Sequence, residues 1–246
     1  MLRSFWGKWF RYNSYFGWAL ILLFGIPRFI LVLNASRTQS YGSVSFIFLF
    51  MWIAPFLFLT SEGRGAMGLK MPSHYGWLVS SFFAGVLACA VMFGAATWAY
   101  EHTSNNWLVY ISRSYALAIN HSAGEEKQMY FMIYAIIAMT LSPVGEELMY
   151  RGLIHGSFAT QIGEYKASIL DSLAFAITHL AHFGIVFISG SWRFLFFPGL
   201  LWVLFMFGAG QLFFLFKEKT GSLLGAMFCH AGFNLAMTYF IFYHIL

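Results

Sequence analysis

Two adjacent carboxylates and an arginine stand in the stretch Leu141-Ser-Pro-Val-Gly-Glu-Glu-Leu-Met-Tyr-Arg-Gly-Leu153, inside a chain that is otherwise almost continuously apolar. A charge near the centre of a bilayer costs at least about 2.5–3.5 kcal/mol by insertion scales, so each needs a partner or a task. On a helix beginning near Val144, Glu147 and Arg151 are four apart with the acid first, the favourable order for an ion pair on one face. Glu146 lies about 100° round the helix from Glu147 and is left free. The spacing therefore assigns Glu147 and Arg151 to structural support and leaves Glu146 as the candidate reactive group.

Two further apolar runs carry polar groups where lipid is expected. One reads Asp171-Ser-Leu-Ala-Phe-Ala-Ile-Thr-His-Leu-Ala-His182, with Phe175 and His179 on one helical face. The other reads Cys229-His-Ala-Gly-Phe-Asn234, with His230 and Asn234 sharing a face. A lone intramembrane histidine is often only a hydrogen bond between helices, but three such polar sites on three spans point to one shared site. A free carboxylate with an imidazole can hold and deprotonate a water, while a second imidazole and a carboxamide can donate to a developing oxyanion. That is the equipment of amide hydrolysis, with Glu146, His179, His230 and Asn234 as its candidates. His182 follows His179 by three, and a His-x-x-His pair leaves open a zinc site built from His179, His182 and His230.

The surrounding elements follow from composition. Sixty per cent of the residues are hydrophobic, nine per cent are charged and thirty are Phe, which a water-soluble chain of 246 residues could not present at its surface. We expect an all-α polytopic membrane protein, a single integral membrane domain over 1–246 with about seven spans enclosing the site. The spans fall near 15–33, 43–60, 75–98, 167–187, 194–216 and 222–246, with the fourth of the seven starting near 129, a kink or break expected at Pro143 and a surface helix over 107–118. Pro27-Arg28 in the first span reads as a kink near the outer face, with an arginine that must snorkel or find a partner. Arg3, Lys8, Arg11, Arg64, Lys70, Arg151, Lys166, Lys217 and Lys219 fall on one side of this topology and only Arg37, Arg113, Lys127 and Arg193 on the other. The positive-inside rule then makes the N-terminus cytoplasmic. Cys89 and Cys229 lack metal-type spacing, and no basic readout stripe points to nucleic acid. Asn34-Ala-Ser36 and Asn120-His-Ser122 are glycosylation triplets on the outer side, a weak signal.

Taken in order, Glu146-Glu147-x-x-x-Arg151, Phe175-x-x-x-His179 and His230-x-x-x-Asn234 resemble the CPBP family of intramembrane proteases, which contains the type II CAAX prenyl endopeptidases. The resemblance covers about 60–246 and leaves the first two spans, 15–60, as an extra helical hairpin. It implies a glutamate-dependent intramembrane endopeptidase in which Glu146 and His179 activate water and His230 with Asn234 forms the oxyanion hole, with Glu147, Arg151 and Phe175 in support. No cofactor is expected, zinc being the alternative. The implied partners are the bilayer and a membrane-embedded or lipidated protein or peptide substrate. The small size suits a bacterial plasma membrane. A non-catalytic immunity or scaffold protein of the same family is the competing reading, and a transporter would show a repeat that this chain lacks.

Overall fold

The computed structural model describes residues 1–119 and 124–246, the side chains of 117–119 excepted, so the triplet beginning at Asn120 lies outside the described residues. Helices dominate. Among the described residues five are long and apolar enough to cross a membrane: α1 (Ser14–Thr38), α3 (Gly76–Tyr100), α5 (Glu125–Ile162), α7 (Phe196–Thr220) and α8 (Leu223–Ile245). Two apolar helices are shorter, α2 (Gly42–Phe58) and α6 (Glu164–Thr178), and α4 (Trp107–Ile119) joins α3 to the segment before α5. The chain is an integral multi-pass membrane protein, with Phe46, Phe50, Phe83, Phe197 and their like exposed where lipid would lie.

Loop contacts define two ends of the bundle. At one, Arg3 N–H donates to Phe58 O and Thr60 N–H to Met1 O, Ser14 N–H reaches Gln161 Oε1 at 2.7 Å, and Ser73 N–H donates to Thr220 O. At the other, Phe187 N–H donates to Tyr110 Oη (2.9 Å) and Arg113 Nη1 to Phe187 O (3.0 Å). The first end collects Arg3, Lys8, Arg11, Arg64, Lys70, Lys166, Lys217 and Lys219, the second Arg37, Arg113, Lys127 and Arg193. Arg151, grouped with the first set in sequence, is fully buried inside the bundle instead.

Several boundaries differ from expectation for local reasons. No break occurs at Pro143. The helix α5 continues through it, and the carbonyls of Ala138 and Leu141 before it take donors from Asn234 Nδ2 (2.9 Å) and Trp52 Nε1 (2.8 Å). The irregularity falls a turn later, where Leu148–Ile154 widens into a π turn, a feature frequent at functional sites. The expected span over 167–187 is helical only to Thr178, about 22 Å of rise. It then passes through a 3-10 turn into a hairpin of β1 (Ile185–Ile188) and β2 (Ser191–Phe194), paired Ile185 to Phe194 and Ile188 to Ser191. Ser189 (φ 52°) and Gly190 (φ 76°) make its two-residue turn, the left-handed pair that a tight antiparallel hairpin requires. Nor does α4 lie loosely on the surface. Trp107 and Leu108 are fully buried, Trp107 against Trp202 and Phe205, so α4 packs onto the bundle.

Close packing of α3 on α8 fixes the helix that bears His230. A Cβ on Gly85 would overlap Cys229 O and one on Gly232 would overlap Phe82 O, so both backbones approach only because these residues are glycine. Ser222 caps the start of α8 by accepting from Leu224 N–H (3.2 Å).

Candidate active site

Four helices converge on one buried group of charges. From α5 come Glu146 and Glu147, from the end of α6 His179, from α8 His230, and from α1 Arg28, none more than 8% exposed. Arg28 is the residue that sequence reasoning placed wrongly. Pro27 does open the regular part of α1 after a widened turn at Ile21–Gly25, but its neighbour neither kinks the outer face nor snorkels to water. Its guanidinium forms an ion pair with Glu146 Oε1, donates from Nη1 to Thr178 Oγ1 (2.6 Å), and places Nη2 3.4 Å from His179 Nε2. The signal that pointed to it was the bare fact of an arginine in an apolar span.

Around Glu146 the remaining partners are Ser142 Oγ, which donates to Oε2 at 3.3 Å, and His230 Nε2, 3.6 Å from the same oxygen. His230 Nδ1 donates to Glu147 Oε1 (2.8 Å), and Arg151 Nη1 lies 3.3 Å from that oxygen. The two carboxylates share His230 but have different arginines: Glu147 is bound to Arg151, while Glu146 pairs with Arg28 and lines the cavity. His179 Nδ1 donates to Phe175 O (2.7 Å), which directs Nε2 at Arg28, the partner of Glu146. The Phe175 ring is the wall shared by the group. Arg151 lies over its face at 4.4 Å, and His230 meets it edge-on at 5.9 Å.

Behind Arg151 lies a second tier that sequence reasoning did not assemble. Arg151 Nε is 3.5 Å from Asp171 Oδ1, Asp171 Oδ2 accepts from His155 Nδ1 (2.7 Å), and His155 Nε2 donates to Glu164 (2.6 Å) at the protein surface. Asp171, seven residues after Glu164 and two turns along the same helix, was legible as an intramembrane acid; its partner His155 was not.

A cavity of about 260 Å³ opens above the charges. Glu146, His179, His230 and Phe175 form its floor, and Tyr41, Tyr115 and Tyr134 its far wall. It runs toward the bundle end that carries residues 39–41 and α4; no residue of 59–75, 155–166 or 217–223 lines it. The Glu147-Arg151-Asp171 tier closes it from the other end. Asn234 lines the cavity too, with Nδ2 committed to Ala138 O, so it serves at least as a tie between α8 and α5. His182 stacks on His179 at 5.4 Å between ring centres. Of the set His179, His182 and His230, His179 Nε2 faces a guanidinium and His230 is engaged by two carboxylates.

Residues 128–236 match a family model described as type II CAAX prenyl endopeptidase Rce1-like. No curated protein and no solved structure matches the chain. The matched stretch contains Glu146, Glu147, Arg151, Phe175, His179, His230 and Asn234 and leaves out Arg28 with all of α1 and α2. The part of this chain that holds its three motifs is similar to the type II CAAX prenyl endopeptidase Rce1-like family.

Proposed function

We propose that this protein is an intramembrane endopeptidase that hydrolyses a peptide bond of a membrane-associated protein or peptide by a glutamate-activated water. The observation that carries the proposal is the convergence of Glu146, His179 and His230 on the floor of one cavity within the bundle, in a chain whose matched segment is of a prenyl-protein endopeptidase family. Glu146 accepts a proton from water as the oxygen attacks the scissile carbonyl carbon. The carbonyl π pair moves onto oxygen, and the C–N bond breaks as Glu146 returns the proton to the leaving amine. His179, held by Phe175 O through Nδ1, presents Nε2 to the same space. His230, oriented by Glu147, presents Nε2 beside Glu146. Mostly apolar walls suit a hydrophobic segment or a lipidated peptide and keep bulk water from competing with substrate for the charges.

The purified chain, reconstituted in lipid, should cleave membrane-anchored peptides and continue to do so after prolonged chelation, with no stoichiometric zinc by elemental analysis. Loss of turnover on chelation and its return with zinc would turn His179, His182 and His230 into ligands and end the glutamate mechanism.

The excess of basic residues at the end away from the cavity mouth makes the mouth extracytoplasmic by the positive-inside rule, in what we take to be a bacterial plasma membrane. Ser43 is exposed at the mouth end. In a chain otherwise free of cysteine, Ser43→Cys should react with a membrane-impermeant maleimide added to intact cells. Reaction confined to inverted vesicles would reverse the side from which substrate arrives.

A further inference from the structure

We infer that Arg28 is a catalytic residue of this site, the cation that follows the negative charge from Glu146 to the substrate oxyanion during hydrolysis; this rests on the endopeptidase reading above. Three observations carry it. Arg28 is 1% exposed and lines the cavity, so its charge faces the reacting space and not lipid or water. Its Nη2 lies against both Glu146 and His179, the two groups that would hold the water. Its Nε has no hydrogen-bond partner among the described residues, although it is buried, which leaves one donor uncommitted in a setting where an unmade bond is costly.

The donors expected for the oxyanion are partly occupied. Asn234 Nδ2 donates to Ala138 O, and His230 is held between Glu146 and Glu147. Charge balance shows what Arg28 can add. Before attack, the negative charge is on Glu146 and paired with the guanidinium. When Glu146 takes the proton of water, its carboxyl becomes neutral, and the same unit of charge appears on the carbonyl oxygen bonded to the attacked carbon. A planar guanidinium with several N–H donors can release the first oxygen and hold the second with little movement. No new charge is brought into the bilayer and little reorganisation is needed, the condition under which electrostatic stabilisation is most effective. On collapse the proton returns from Glu146 to the amine and the original ion pair re-forms. The chain thus completes its site with a residue from α1, which is outside the matched segment.

The test compares transition-state and ground-state affinity. Arg28→Gln and Arg28→Lys, reconstituted with a cleavable membrane peptide, are assayed for kcat and KM. Each is also titrated with a phosphinate analogue of that peptide, whose tetrahedral anion stands in for the oxyanion. Arg28→Gln should lower kcat by about 10²–10³-fold with KM changed by no more than about threefold, and weaken the phosphinate about 100-fold. Arg28→Lys, which keeps the charge but loses the fork, should recover about tenfold of the lost kcat. A merely structural arginine would move the phosphinate and KM together and show no selective loss. Near-normal kcat in Arg28→Gln, or phosphinate and peptide affinities that change in parallel, overturns the inference. Should Arg28→Gln not fold, Arg28→Gln/Glu146→Gln is compared with Glu146→Gln alone for the two affinities, and an unchanged ratio overturns it. A wild-type chain that cleaves nothing would instead defeat the proposed function itself.

Discussion

Glu146→Gln should lower turnover by about 10²–10⁴-fold, the usual contribution of a positioned general base, while the protein still folds and still binds peptide. A carboxamide is nearly isosteric and can still accept from Ser142 Oγ and from Arg28, but it cannot take a proton from water at working pH. The ion pair to Arg28 is lost, so a somewhat lower unfolding temperature in detergent is expected beside the loss of activity. Glu147→Gln offers a contrast, because Glu147 binds Arg151 and the Nδ1 of His230 and does not face the cavity floor. Its effect should come through the orientation of His230, be smaller on turnover and be larger on stability. The measurement is single-turnover cleavage alongside thermal unfolding for both variants. Normal turnover in Glu146→Gln would transfer the base to another residue.

Arg151→Ala should be the most destabilising single change in the membrane core. It leaves Glu147 and Asp171, both fully buried, with no basic partner but a histidine each, and empties the space over the faces of Phe175 and Phe213, which lie 4.4 and 5.4 Å from the guanidinium carbon. Breaking a buried charge pair on one side costs about 3–5 kcal/mol because the remaining carboxylate is left without compensation. Two carboxylates share this cation, which puts the expected loss at the upper part of that range. Arg151→Lys should recover only part, since a point charge cannot span both acids as a planar fork does. If the penalty is electrostatic, Arg151→Met combined with Glu147→Gln and Asp171→Asn should be more stable than Arg151→Ala, because the charges are removed together. Unfolding free energies measured in one detergent decide this. An Arg151→Ala protein as stable as wild type would show that the second tier carries no structural weight.

What could be known from sequence alone was local. Hydropathy over about twenty residues marks a span whatever the rest of the chain does, because the bilayer sets the length. The i,i+4 repeats in Glu147 to Arg151, Phe175 to His179 and His230 to Asn234 follow from helix geometry within one turn. Glu147 does pair with Arg151, and Phe175 lies beside His179, because one continuous helical turn separates the members of each pair even where that turn widens or tightens. Turn chemistry was legible as well: Ser189-Gly190, in the short connection between the expected spans 167–187 and 194–216, is the mark of the hairpin. Local too was the oddness of Arg28, though not its meaning.

Only the tertiary structure decided what joined with what. Arg28 and His179 are 151 positions apart, His230 and Glu147 are 83 apart, and no spacing rule spans such distances. The packing of α1 against the end of α6 brings an arginine that looked like a defect of the first span to the carboxylate that looked free. The same packing sends Asn234 toward a backbone carbonyl of α5 and assembles Asp171 with His155 and Glu164. The physical reason is that a charge in an apolar chain announces only that it needs a counterpart. Which counterpart it meets depends on helix rotation and on glycine-permitted approach, as between Gly85 and Gly232 of α3 and α8, and these are properties of pairs of helices rather than of any one sequence segment.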